Sequence, residues 1–134
     1  MIEKTLAIIK PDAVERNLEE KIKSFYTDKN LKIVNSKKVK ISKDEACEFY
    51  KVHQTKPFYN DLCNFLASGP IIVMILEADN AVAYNREIMG ATDPTKAQPG
   101  TIRKLYGLSI DKNSIHGSDS LDNAKIEIDF FFKK

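Results

Sequence analysis

Asn113-Ser114-Ile115-His116-Gly117-Ser118-Asp119-Ser120 sets a histidine beside a glycine just ahead of a helix start. Imidazole is the side chain best suited to accept and release a charged group near neutral pH, which makes His116 a candidate nucleophile. Ser120 reads as the N-cap of that helix, since Leu121, Ala124 and Ile128 follow at helical spacing with Asp122 in the first turn. Glu127 falls seven positions after Ser120, on the same face as the cap and away from the apolar stripe. From there a carboxylate projects toward His116 and can hold one ring nitrogen by a hydrogen bond while the other attacks. Gly117 removes bulk beside the histidine, as the close approach of a polyanion requires. The same spacing also fits a turn histidine beside a solvated helix glutamate, and spacing alone does not choose between them.

The elements that must position these groups follow from the pattern of the chain. Thr5-Leu6-Ala7-Ile8-Ile9 and Ile71-Ile72-Val73-Met74-Ile75-Leu76 are continuous apolar runs, which read as central strands buried on both faces. Lys10 ends the first of them, just ahead of a helix start, where anionic ligands commonly bind in sheet-and-helix proteins. Asp12 and Glu15 form a D-x-x-E capping box for one helix whose stripe is Leu18, Ile22, Phe25 and Tyr26, closed by Asp28-Lys29-Asn30. From Leu31 to Ile41 apolar residues alternate with lysines, with an interruption at Asn35-Ser36, so an edge strand with one wet face is expected.

Ser42 and Glu45 make a second capping box, followed by Ala46, Phe49, Tyr50 and His53 at helical spacing. Phe58, Leu62, Phe65 and Leu66 define a further short helix that ends at Ser68-Gly69-Pro70, with Phe58 and Tyr59 either core or a flat surface for a nucleobase. Asp79-Asn80 caps a helix that runs to about Met89, with Arg86 off its inward face, and Gly90 stops it. Between Ala91 and Ile115 both periods weaken and Pro94, Pro99, Gly100 and Gly107 punctuate the chain, which favours a long binding loop. Thr92, Thr101 and Arg103 supply that loop with hydroxyls and a guanidinium able to hold phosphate oxygens in bidentate fashion. Phe130-Phe131-Phe132, beyond the last helix, must pack on the body or on another subunit. The element order implies an α+β fold, a ferredoxin-like βαββαβ antiparallel sheet covered by helices, with the long loop before the last strand.

Composition narrows the function classes. With 134 residues, 43% apolar and 30% charged, the chain fits one domain with a real core. A formal charge of +2, with the lysines dispersed, weighs against nucleic acid as the main partner and points to a small anion. Cys47 and Cys63 show no metal-ligand spacing and read as buried free thiols, suited to a reducing cytoplasm. No leader pattern and no bilayer-length apolar stretch is present, so the expectation is a cytoplasmic protein without a membrane partner.

Lys10-Pro11-Asp12-Ala13-Val14, Ser68-Gly69-Pro70, Pro99-Gly100-Thr101-Ile102-Arg103 and the Asn113–Ser120 stretch occur together and in this order. With these motifs the chain resembles the nucleoside diphosphate kinase family over nearly its whole length, as a single domain spanning residues 1–134. The resemblance implies transfer of the γ-phosphoryl group of a nucleoside triphosphate such as ATP to a nucleoside diphosphate. Transfer would be ping-pong, through a phosphohistidine at His116, and would maintain the nucleoside and deoxynucleoside triphosphate pools. By the same resemblance Glu127 and Ser118 orient the ring, Tyr50 lines it, and Lys10, Arg86, Thr92, Arg103 and Asn113 hold phosphates or ribose. The resemblance also makes Phe58 the residue on which the base would stack, with Leu62 beside it. Magnesium is expected on the nucleotide's phosphates rather than in a dedicated protein site. A homo-oligomer, tetramer or hexamer, is expected too. The chain departs from the family pattern at Asn17-Leu18-Glu19-Glu20, at Leu105 where an acidic residue is usual, and in ending soon after its last helix; in the family it resembles, the loop and the tail take part in subunit packing. A nucleotide-binding scaffold and a single-stranded nucleic-acid binder are the competing classes. The filled catalytic positions argue against the first, and the near-neutral charge against the second.

Overall fold

The alternation of side chains along an extended backbone explains how two continuous apolar runs can both be central. In the computed structural model, which describes residues 2–51, 54–108 and 114–132, β1 (Ile2–Ile9) and β3 (Ile71–Asp79) pair antiparallel at the centre of one sheet. Leu6, Ile8, Ile71 and Val73 point to one face, while Ala7, Ile9, Ile72 and Met74 point to the other, and a separate core forms on each side. The first core is closed by Ile22 and Tyr26 of α2 (Glu19–Asp28) and by Ile88 and Met89 of α5 (Ala81–Met89). The second takes Ala46 of α3 (Lys43–Phe49), Cys63 and Leu66 of α4 (Tyr59–Leu66), and Phe131 of α7 (Leu121–Phe132).

β2 (Lys32–Val39) and β4 (Ile115–Gly117) complete a four-stranded sheet in the order β2-β3-β1-β4, every pairing antiparallel. This is the ferredoxin-like arrangement expected from the element order. The lysine-rich β2 is an edge strand, and its register shifts between Ile33 and Asn35, beside the anticipated interruption. Lys37 of this edge reaches over α7, donating to the Phe131 carbonyl with its ammonium 4.8 Å from the Phe132 ring centroid, so a cation caps that helix's C-terminus.

Several expectations are corrected. Asp12 and Glu15 do not form a capping box. Lys10 is the N-cap of α1 (Pro11–Glu15), Pro11 fills its first position, and Asp12 lies inside the helix with its carboxylate turned to Arg16 and Ser114. The anticipated single helix is two, because Asn17 adopts φ 59° and breaks α1 from α2. The long loop contains a 3-10 turn at Pro94–Lys96 and α6 (Ile102–Tyr106), pieces too short to show a period. Phe130-Phe131-Phe132 is the last turn of α7, with Phe131 buried, rather than a segment beyond it. Ser42 and Glu45 do form the expected reciprocal box, with bonds of 3.1 and 3.0 Å. The α3 helix stops at Phe49, and His53 lies outside the described residues.

Candidate active site

Short as it is, β4 places the key imidazole. His116 pairs with Ile8 of β1, so its side chain shares the face covered by α3 and α7, while Ile115 points into the opposite core. Helix α7 begins where the Ser120 hydroxyl accepts the Asn123 N–H at 3.1 Å. Glu127 then stands on the inward side between the buried Ala124 and Phe131, at i+3 and i−4, rather than on a face apart from the apolar stripe. Its Oε1 lies 2.9 Å from His116 Nε2 and accepts the Ser118 hydroxyl at 2.8 Å. A carboxylate only accepts, so the bond fixes the proton on Nε2. Among the described residues Nδ1 makes no hydrogen bond. The imidazole and carboxylate side chains are 21% and 17% exposed, so the pair is sheltered yet reachable.

Two aromatic rings complete the wall. Tyr50, the C-cap of α3, is buried with its ring centroid 6.4 Å from that of His116. Burial, and then the charge of Glu127, push its phenol well above the usual range and keep it neutral. Phe49 is closer, edge-on to His116 at 5.3 Å, and also packs on Phe130 and Phe131. Its helical spacing puts Phe49 on the stripe of α3, and no feature of the sequence distinguishes a packed phenylalanine from one seated on a reactive ring.

Gly117 has a different cause from the one expected. A Cβ there would lie 2.4 Å from Asn85 Nδ2 and 2.6 Å from Met89 Sδ, so the glycine lets α5 pack against β4 rather than opening the site to a ligand.

Cations gather around this corner of the sheet. Arg103, buried in α6, donates to the Gly90 carbonyl at 3.0 Å and the Ile115 carbonyl at 2.8 Å, tying the long loop to the residue before His116. Burial foremost, then the neighbouring Arg86, bring its guanidinium down to about 10, above neutral pH, so it stays charged. Arg86 projects from α5 into solvent, and its field reaches both Arg103 and Asp119. Asp119 is held below the usual carboxylate range by the Asn123 amide, with help from Arg86 and His116. Lys10 is buried at the end of β1, its backbone N–H donating to the Ser114 carbonyl at 2.9 Å.

The structure therefore brings His116, Glu127, Ser118 and Tyr50 together, and joins the Arg103 side chain to Ile115 and the Lys10 backbone to Ser114. Phe58 lies at the N-cap of α4, 42% exposed, with the Lys56 ammonium 5.7 Å from its ring, and Leu62 follows one turn on, half-buried. Thr92 is exposed in the loop, and Asn113 lies outside the described residues. No group of three histidine, cysteine, aspartate or glutamate side chains gathers as a metal cage among the described residues.

An antiparallel sheet of this order, bearing a sheltered histidine held through one nitrogen by a carboxylate, defines a ferredoxin-like α+β protein with a candidate nucleophile on its edge strand. A family model described as nucleoside diphosphate kinase matches residues 3–134. The nucleoside diphosphate kinase of Persephonella marina is 52% identical over 133 residues, covering 99% of this chain and 95% of that protein. That of Campylobacter concisus is 55% identical over 131 residues, covering 98% and 96%. Among solved structures, the orthorhombic crystal form of the Aquifex aeolicus nucleoside diphosphate kinase superposes with a TM-score of 0.96 at 38% identity, over 98% of this chain and 96% of that one. The apo enzyme from Encephalitozoon cuniculi gives 0.95 at 35%, over 98% and 90%. The chain belongs to the nucleoside diphosphate kinase family, a family of enzymes acting on nucleoside di- and triphosphates. Among the described residues no helix is long and apolar enough to cross a membrane.

Proposed function

We propose that this enzyme moves the γ-phosphoryl group of ATP or another nucleoside triphosphate to a nucleoside diphosphate by a ping-pong route through His116, and so balances the (d)NTP pools. The observation that carries this reading is the 2.9 Å bond from His116 Nε2 to Glu127, which leaves the Nδ1 lone pair for attack. Nδ1 forms the N–P bond to the γ-phosphorus as the bond from that phosphorus to the β,γ-bridging oxygen breaks and the diphosphate leaves. Glu127, itself held by Ser118, stabilises the cationic ring so formed. In the second half-reaction a β-phosphate oxygen of the acceptor attacks the phosphohistidine and Nδ1 recovers its lone pair.

The developing charge lies on phosphoryl oxygens, so positioning and cations do most of the work, and Lys10, Arg86 and Arg103 are assigned to them. Thr92 and Asn113 are assigned to phosphate and ribose, Tyr50 to the wall of the imidazole, and Phe58 with Leu62 to the base. A base merely stacked on a half-exposed ring accounts for broad base tolerance. Magnesium fits this donor set as an ion held by phosphate oxygens, since the nearby protein groups are mainly cationic. When bound it would neutralise charge on the β- and γ-phosphates. We assign the protein to the cytoplasm, in keeping with its free thiols Cys47 and Cys63, and to a homo-oligomer, with light scattering to separate tetramer from hexamer.

The test is incubation with γ-labelled ATP. An acid-labile, base-stable label on the protein that added GDP discharges is expected, with His116→Ala taking no label while its circular dichroism is unchanged. Transfer retained by His116→Ala would overturn the proposal.

A further inference from the structure

Four non-glycine residues adopt positive φ among the described residues, and three of them, Asn17, Asn30 and Asn80, are of the type that tolerates this region. The fourth is Ser114, at φ 77° and fully buried, two positions before His116. A serine holds that conformation only where its surroundings over-determine it. Here they do. Its hydroxyl lies 3.0 Å from Asp12 Oδ2 and 3.1 Å from the Tyr106 carbonyl, with its one proton available to either. Its carbonyl accepts the Lys10 N–H at 2.9 Å. Arg16 closes the set from the end of α1. Its Nη2 lies 2.6 Å from the Tyr106 carbonyl and 3.2 Å from both Ser114 Oγ and Asp12 Oδ2, and its Nε donates to the Asp12 carbonyl at 3.1 Å.

Lys10 begins α1, Asp12 and Arg16 belong to it or cap it, and Ser114 leads directly into β4. The same few bonds therefore fix the backbone that carries Lys10 against the backbone that carries His116. We propose that Arg16, Asp12 and Ser114 form a positioning clamp that holds residue 114 in the left-handed conformation and thereby sets His116 Nδ1 relative to the Lys10 cation. The inference rests on the reading of His116 as the nucleophile. None of the three residues bonds to the imidazole, so their effect on the chemistry is through geometry alone.

Glycine adopts this backbone region without a steric penalty, whereas alanine does not, and neither supplies the hydroxyl. The experiment compares Ser114→Ala with Ser114→Gly by the single-turnover rate of His116 labelling from γ-labelled ATP, alongside ADP affinity and melting temperature. The glycine variant is expected to label about tenfold faster than the alanine variant, with the two differing far less in ADP affinity, because small misplacements of a reacting group act on rate. Equal rates in the two variants, whether both near that of the parent or both far below it, would overturn the clamp. If Ser114→Ala does not fold, Arg16→Met serves, since that side chain is partly exposed. It should slow labelling with serine at 114 and lose most of that effect with glycine at 114, as a double-mutant cycle reads. A glycine background that leaves the Arg16→Met effect undiminished overturns the proposal. A parent protein that takes no label at all defeats the phosphohistidine reading instead, so the two failures are distinguishable.

Discussion

Glu127 holds His116 through Nε2 at 2.9 Å while its same oxygen takes the Ser118 hydroxyl at 2.8 Å, so one carboxylate atom orders both a ring and the residue two positions beyond it. Because the acceptor is on helix α7 and the ring on strand β4, the orientation of the imidazole depends on how that helix packs on the sheet.

Variants of this pair should fall in a definite order. Glu127→Ala loses both the acceptor and the charge, and Glu127→Gln loses the charge and half the acceptor capacity. Ser118→Ala loses only one of the bonds that hold the carboxylate. We expect kcat/KM to drop by about 100-fold or more, about tenfold or more, and less than about tenfold respectively. Steady-state kinetics with ATP and a diphosphate acceptor check it, and a Ser118→Ala loss exceeding that of Glu127→Gln would contradict the order.

Arg103 spans two carbonyls with one planar fork, a geometry that lysine cannot reproduce. Arg103→Lys should therefore leave the Gly90 or Ile115 carbonyl unpaired, with a stability loss of about 1–3 kcal/mol, and raise KM for nucleotide. Urea unfolding together with KM measurement reads both. A variant as stable as the parent would show that the guanidinium does not brace the loop.

Gly117→Ala would drive a methyl against Asn85 and Met89, at 2.4 and 2.6 Å from their side-chain atoms. The expected result is an overpacked interface costing about 1–3 kcal/mol, with α5 displaced from β4. Thermal unfolding checks the cost, and wild-type stability would restore the idea that this glycine serves ligand approach.

Asp93 opens the 3-10 turn of the long loop by accepting the Thr95 hydroxyl at 2.8 Å and the Thr95 N–H at 3.0 Å, and these bonds lower its carboxyl below the usual value. A lowered folded-state pKa contributes stability that is present above the unfolded value and lost as pH falls through the folded one. Asp93→Ala should thus be less stable than the parent at pH 7, and the difference should shrink as the medium is acidified below the ordinary carboxylate range. A difference that is the same at both pH values would remove the carboxylate from the account.

Much of this was legible beforehand for physical reasons. Two apolar runs long enough to be central strands, a reciprocal Ser42–Glu45 cap and lysines along an edge each express a local rule that tertiary structure did not override. The seven-residue step from Ser120 likewise aimed Glu127 at His116. What was not legible depends on contacts between distant segments. Asp12 looked like a cap because its partners, Arg16 apart, come from the far end of the chain. Asn17 breaks a helix by a backbone angle that no periodicity records. Gly117 answers to α5, and Phe49 sits on the imidazole because α3 ends beside β4, neither of which spacing within one element can reveal.

Identifying which ring nitrogen carries the phosphoryl group tests the central claim most directly. Phosphorus and proton NMR of the protein labelled by ATP, kept at alkaline pH to preserve the N–P bond, distinguishes the two isomers. With Nε2 committed to Glu127, the phosphoryl group is expected on Nδ1 of His116; phosphate on Nε2, or on any other residue, would contradict the account.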